Sequence, residues 1–303
     1  LVAVSSITVN GVNAQSETLY VNYTNVVPAS GFFSKNVTWH GGVGVADNDV
    51  LKVSGGTFTT VTHTFTSAGP EKSGNILYNT GAQTATITYD GLEPIDMTGS
   101  TIAALVFNLP GTADQAILED DAGSVANVSQ IRSQNGTPTF DTTTFTTPTT
   151  SLTVNMGGDA GALTVASLDA AYNVALNIVG QAGADTVNFT GTNTGLTTLS
   201  VNVGGAITNS ASANIQTSGN ASLTGGSISL GTIAGDQFQL GSLTFVSTAG
   251  VTIEEDNGTA LTGSSSGTTV ALSAVGAITD ADNNTSTKIT ATTLSLTASG
   301  LGA

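Results

Sequence analysis

The segment Gly180-Gln-Ala-Gly-Ala-Asp-Thr-Val-Asn188 lies one substitution from the Gly-Gly-x-Gly-x-Asp-x-apolar-x nonapeptide. In stacked copies of that nonapeptide, successive turns hold calcium through backbone carbonyls and aspartate oxygens, so one copy forms half a site. Gly157-Gly-Asp-Ala-Gly-Ala-Leu-Thr-Val165 is a degraded second copy, with Asp159 displaced from the place Asp185 takes in the first. Three acidic clusters follow expected strand ends: Glu119-Asp120-Asp121, Glu254-Glu255-Asp256, and Asp280 with Asp282. Their hard oxygens suit calcium, and paired carboxylates also suit glycoside hydrolysis. The clusters lie in separate regions without an aromatic sugar platform, which leaves calcium as the one cofactor the chain suggests. The plainer reading is a set of solvated turns.

His40 and His63 stand 23 residues apart, with Asp47 and Asp49 close to the first, a possible His/carboxylate metal set. Two lone histidines on threonine-rich strands are more often surface residues. Polysaccharide lyase chemistry needs a base beside a carboxylate-bound cation, yet Arg132 is the sole arginine and Lys288 the sole lysine of the repeat region. No serine sits in a nucleophile elbow, and no phosphate-loop spacing occurs. The chain is therefore expected not to be an enzyme. Sequons are frequent: Asn22, Asn36, Asn127, Asn135, Asn188, Asn220, Asn257, Asn283 and Asn284. Chance supplies most of them in a chain this rich in Asn, Ser and Thr. The Thr/Pro tract Asp141–Thr150 adds Thr142, Thr143 and Thr147 as candidates for O-linked glycans.

These side chains sit on a scaffold of unusual composition. Only 9% of the 303 residues are charged, against roughly 25% in an average soluble domain. Ser and Thr supply about a quarter of the chain, so the polar surface is hydroxyl and amide rather than ionic. Twenty-one acids against five bases give a net charge of −16, which repels nucleic acid and anionic membranes. No run approaches ~18 uninterrupted apolar residues, so no membrane insertion is expected. Cysteine is absent, leaving packing and ladder hydrogen bonds to hold the fold. The start, Leu1-Val-Ala-Val4, has neither an initiator methionine nor the marks of a signal peptide, and reads as a processed or excised piece.

Five phrases recur every 20 to 27 residues, beginning at Leu199, Leu223, Leu243, Val270 and Leu294. Each is a short apolar/polar alternation, a glycine-bearing corner and a second alternation, the mark of stacked strand repeats. Similar units begin at Ala104, Ser151 and Asn173. The expected fold is all-β: an N-terminal β-rich module over 1–99, then an elongated right-handed parallel β-helix or β-solenoid over 100–303 that continues beyond residue 303. Its handedness comes from the general behaviour of crossovers. The expected core of the repeats is Leu199, Val201, Ile207, Leu223, Ile228, Leu243, Val251, Leu272, Ile278 and Leu296. Corner glycines are expected to turn the chain through positive φ. The first module holds longer strands, with Phe58, Val61 or Phe65 facing inward, together with Trp39 and four of the five tyrosines. Thr137–Ser151, with Pro138 and Pro148, is expected as an exposed excursion or a strand bordered by prolines.

The phrases Ile87-Thr-Tyr-Asp-Gly-Leu-Glu-Pro-Ile-Asp96, Phe107-Asn-Leu-Pro110, Leu118-Glu-Asp-Asp121, Ser129-Gln-Ile-Arg-Ser133, Ser151-Leu-Thr-Val-Asn155 and Ala166-Ser-Leu-Asp-Ala-Ala171 carry a resemblance. The chain resembles giant repetitive secreted proteins of planctomycete-type bacteria and, more distantly, filamentous-haemagglutinin-like surface proteins. The likeness covers roughly 50–200 well and the remainder only as generic β-helix. It implies an extracellular or cell-surface structural protein, a building block of a fibre, sheath or matrix, with no catalytic residues to carry over. Its partner would be itself, as further repeats or other copies meeting end to end or laterally, with extracellular polysaccharide as a further partner. One alternative is an adhesin for glycans or another cell, for which Trp39, Tyr20 and Tyr23 are the aromatic candidates. Another is a calcium-stabilised β-roll segment.

Overall fold

The computed structural model describes residues 6–24, 35–42, 48–66, 72–92, 94–123, 125–181 and 183–301. Every regular element among them is a strand, as the alternation of Val, Ile, Leu and Thr requires. The chain opens with β1 (Ser6–Asn10), β2 (Thr18–Asn22), β3 (Asn36–His40) and β4 (Val50–Ser54). Longer strands follow: β5 (Thr57–Thr66), β6 (Ser73–Asn79), β7 (Thr84–Asp90), β8 (Ile95–Met97) and β9 (Thr101–Asn108). Next come β10 (Gln115–Asp120), β11 (Val128–Ser133), β12 (Thr143–Thr146), β13 (Ser151–Asn155), β14 (Ala162–Val165), β15 (Ala175–Val179) and β16 (Thr186–Phe189). The repeats contribute β17 (Thr192–Leu196), β18 (Leu199–Asn202), β19 (Ala206–Asn209), β20 (Asn214–Gly225), β21 (Ser227–Leu230), β22 (Gln237–Ser247) and β23 (Gly250–Glu255). The last five are β24 (Thr259–Leu261), β25 (Ser264–Ala274), β26 (Ala277–Asp280), β27 (Lys288–Thr297) and β28 (Gly300–Leu301).

These strands stack into two long walls. The first runs β1-β3-β7-β6-β5-β9-β13-β15-β18-β20-β22-β24-β26-β28. The second runs β2-β4-β8-β12-β11-β10-β14-β16-β19-β21-β23-β25-β27. A short third wall forms from β17 and the first halves of β20 and β22. With ~4.8 Å between neighbouring strands the first wall is about 60 Å long, so the molecule is an elongated β-solenoid.

Period-two burial turns every second side chain inward. In the first wall Val61, Leu105, Leu152, Leu176, Leu199, Ala221, Leu243 and Leu261 stack in register, all buried. In the second, Ala116, Leu163, Val187, Ile207, Ile228, Val251 and Val270 do the same. Both columns belong to one hydrophobic cluster running from Tyr23 to Ile278. Of the ten expected core residues, nine are buried; Leu296, on the outermost strand β27, is only partly so. The aromatic residues concentrate at the N-terminal end, where Tyr23, Phe58 and Tyr78 meet with ring centroids 4.8 to 5.5 Å apart.

Each wall contains one reversal that the repeats do not announce. In the first wall β6 runs antiparallel between β5 and β7, and β7 returns to pair in parallel with β3 while β5 pairs ahead with β9. In the second wall β10, β11 and β12 repeat the manoeuvre, with β12 returning to β8 and β10 pairing ahead with β14. The chain thus overshoots and doubles back once on each side. These pairings carry the ladder across residues 99 and 100 without a break, since Val61 lies beside Leu105 and His63 beside Phe107.

Of the two expectations for Thr137–Ser151, the strand bordered by prolines holds: β12 lies there between Pro138 and Pro148, with Phe140, Phe145 and Pro148 buried. Two other expectations need correction. The corner glycines Gly204, Gly205, Gly225 and Gly226 do not have positive φ. Their reason is space: a Cβ on Gly226 would meet the Gly204 carbonyl oxygen at 2.5 Å, because stacked corners bring backbone onto backbone. Finally, the five phrases do not mark one ladder. Those at Leu199, Leu223 and Leu243 start on the first wall, whereas Val270 and Leu294 lie in register with Val251 on the second.

Candidate functional site

The reversed strands bring together polar side chains that the sequence leaves far apart. On β5 the inward set continues from Val61 through His63 to Phe65, so His63 is fully buried among rings, 4.0 Å from the Phe65 centroid and 5.8 Å from that of Phe107. Its Nε2 and the Tyr89 hydroxyl share a 2.7 Å hydrogen bond, and its Nδ1 lies 3.5 Å from the Thr143 hydroxyl. Gly74, between Phe65 and Tyr89 in register, makes room for that phenol: a Cβ there would stand 2.5 Å from the Tyr89 oxygen. Just beyond β11, Phe140 packs on Phe65 at 4.7 Å, and the next residue, Asp141, turns its carboxylate inside. Its Oδ1 lies 3.2 Å from Lys72 Nζ, with the aspartate side chain 0% and the lysine side chain 19% exposed.

Burial drives the protonation of this group. His63 is pushed down to about 3 by desolvation, so it is neutral at ordinary pH. Burial raises the Tyr89 phenol well above its usual range, and the Asp141 charge raises it further. Beside Asp141, a surface pocket of about 260 Å³ is lined by Asn48, Lys72, Pro94 and Thr142.

The calcium candidates are placed differently. Asp185 is buried, its Oδ1 accepting the Gly161 N–H at 2.7 Å and its Oδ2 the Gln181 N–H at 3.2 Å. It therefore ties two glycine turns together, which corrects the plainer expectation of a surface aspartate. Asp159 is exposed. Glu119 Oε1 accepts from Arg132 Nε at 2.6 Å and from Gln130 Nε2 at 2.9 Å. Asp120 lines a groove of about 290 Å³ with Asp169, Tyr172 and Asn193, and partial burial, Asp169 and Asp121 together raise its carboxyl. Asp121 Oδ1 accepts the Gly123 N–H at 3.1 Å. Glu254 is exposed, whereas Glu255 is buried, its Oε2 accepting the Leu240 N–H at 3.1 Å and its Oε1 the Thr259 hydroxyl at 2.8 Å. Asp256 Oδ2 accepts the Phe238 N–H at 2.7 Å. Asp280 and Asp282 close a turn with Thr287, Asn284 and Thr262. Among the described residues no three His, Cys, Asp or Glu side chains converge on a cation position.

The histidines do not converge either. His40 is exposed and pairs with Asp90 at 2.7 Å, whereas His63 is inside; Asp49 is buried and accepts the Glu17 N–H at 2.7 Å. Asp47 lies outside the described residues. The aromatic patch expected of an adhesin is not assembled: Trp39 is 1% and Tyr23 0% exposed, leaving Tyr20 alone at the surface. Of the glycan candidates, Asn36, Asn257 and Asn283 are exposed; Asn127, Asn135, Asn188, Asn220 and Thr142 are half-buried. Thr143 and Thr147 are buried, so their hydroxyls are closed to a glycan in the folded chain.

Sequence reasoning passed over Lys72, Tyr89 and Asp141. One signal was available: residues 61, 63 and 65 share a face of one strand, so the face that buries Val61 and Phe65 must bury His63 as well. No family model matches the chain, and no curated protein or solved structure is similar to it.

Proposed function

We propose that the chain is an extracellular structural protein, a building block of a bacterial surface fibre, sheath or matrix, whose copies stack end to end. One observation carries the reading. Among the described residues the ladder runs from one pole to the other, and its outermost strands carry apolar side chains. At one pole β1 and β2 expose Ile7 at 37% and Tyr20 at 50%; at the other β27 exposes Leu294 at 47%. Unpaired N–H and C=O groups beside exposed apolar residues favour a further strand in the same register. A surface of hydroxyls and amides, with charge −16 and no cysteine, suits a polymer held by ladders in open medium. The test is electron microscopy of the purified chain at rising concentration. Linear particles that lengthen in steps of about 60 Å are expected. Single rods at every concentration would overturn the proposal.

A further inference from the structure

We propose that Lys72 and Asp141 join through a self-formed amide, lysine Nζ to aspartate Cγ, that clasps the two reversed segments together. Lys72 directly precedes β6, the middle strand of the first reversal, and Asp141 lies two residues before the start of β12 of the second. No other contact described above links these two reversals through charged side chains.

The two groups are held against each other. Nζ lies 3.2 Å from Oδ1 of the carboxyl it would attack, and a small shift of the lysine tip brings it onto Cγ, since holding the pair side by side replaces a chance encounter. The step needs the amine and the carboxylic acid rather than the ion pair. An ammonium and a carboxylate taken out of water each bear a desolvation penalty. Passing one proton from nitrogen to oxygen removes both charges and leaves an amine facing a carboxylic acid.

The step balances without a cofactor or oxidant. The amine lone pair attacks Cγ and the N–C bond forms. The C–OH bond then breaks, and the departing hydroxyl takes the proton released by nitrogen and leaves as water. Ammonium plus carboxylate thus become amide plus water. The pocket lined by Asn48, Lys72, Pro94 and Thr142 opens beside the pair and gives that water a way out. Phe65 and Phe140 pack against each other at 4.7 Å on the inner side, where bulk water would otherwise return for hydrolysis.

Intact mass spectrometry of the full folded chain, denatured just before injection, tests the proposal. The expected mass is below that of the sequence by one water, with a branched peptide joining the segments that hold Lys72 and Asp141. K72A and D141A are each expected to show their full sequence masses. A wild-type mass equal to the sequence value overturns the proposal whether or not the variants fold. A water loss that persists in K72A also overturns it, because Asp90-Gly91 can lose water by closing on its own backbone.

Discussion

Burial holds both Glu255 and His63 in their uncharged forms, and their effects on stability run in opposite directions with pH. Glu255 is raised from 4.5 to about 7, first by desolvation, against the hydrogen bonds from Thr259 and Leu240. The unfolded chain ionises this group more readily, so its stabilisation is complete below pH 4.5 and is lost as pH rises to about 7. His63 is lowered from 6.5 to about 3, so its stabilisation is complete above pH 6.5 and is lost as pH falls towards 3. Glu255→Gln isolates the two. The amide oxygen still accepts from Leu240, the amide nitrogen donates to Thr259, and the titration disappears. Relative to wild type, the variant should gain roughly 3 kcal/mol between pH 4.5 and 7, read from urea midpoints at several pH values. A constant difference across that window would mean that Glu255 ionises freely in the folded chain. The wild type retains a broad stability maximum because one group weakens as the other strengthens.

A strand in this molecule is defined by its neighbours above and below, and that part was only half legible in the chain. Alternation placed Val61, Leu199 and Ile228 inside correctly, since a residue's face depends on its own strand alone. Which wall a strand joins does not: Leu243-Thr-Phe245 and Val270-Ala-Leu272 have the same alternation, yet the first stacks on Ala221 and the second on Val251. The reversals left a local trace in Asn79-Thr-Gly81, where Asn79 Oδ1 accepts the Gly81 N–H at 2.7 Å and Gly81 takes φ +88 in a hairpin turn. That β7 then reaches back to β3 is a long-range pairing that no turn encodes. The site was hidden for the same reason, as Lys72, Tyr89 and Asp141 converge only once both reversals have formed. Corner glycines are the element-scale feature whose role changed from conformation to spacing. Gly226→Ala, with its Cβ 2.5 Å from the Gly204 carbonyl oxygen, should lose about 1–3 kcal/mol by forcing stacked corners apart. Gly111→Ala, with nothing within 4 Å, should be near neutral. Equal urea midpoints for the two variants would remove the spacing argument.

Across the whole molecule, stability must be uneven, because in a stack each rung is held only by the rungs it touches. Among the described residues the outermost strands have one partner each, β3 for β1 and β25 for β27. They also leave Ile7, Tyr20 and Leu294 in solvent, forfeiting apolar burial of roughly 25 cal/mol per Å². The centre differs in kind. Opening β6 breaks two antiparallel pairings and uncovers Tyr78 and Ile76, while opening β11 does the same to both its partners and uncovers Ile131. Neither strand can leave from an end, since chain on both sides of it is paired to rungs above and below. Amide hydrogen exchange should therefore be slowest over β5–β7 and β9–β12, and should quicken stepwise towards β1 and β2 at one pole and β25–β27 at the other. The measurement is exchange mass spectrometry on the wild-type chain at low denaturant. If protection instead rose smoothly towards either pole, or were uniform from β1 to β27, the reversals would not be the lock of the stack. The pattern would hold without the Lys72–Asp141 amide, because hydrogen bonds and burial alone produce it. With the amide, K72A should lower protection in β6 and β12 while leaving β18–β23 unchanged.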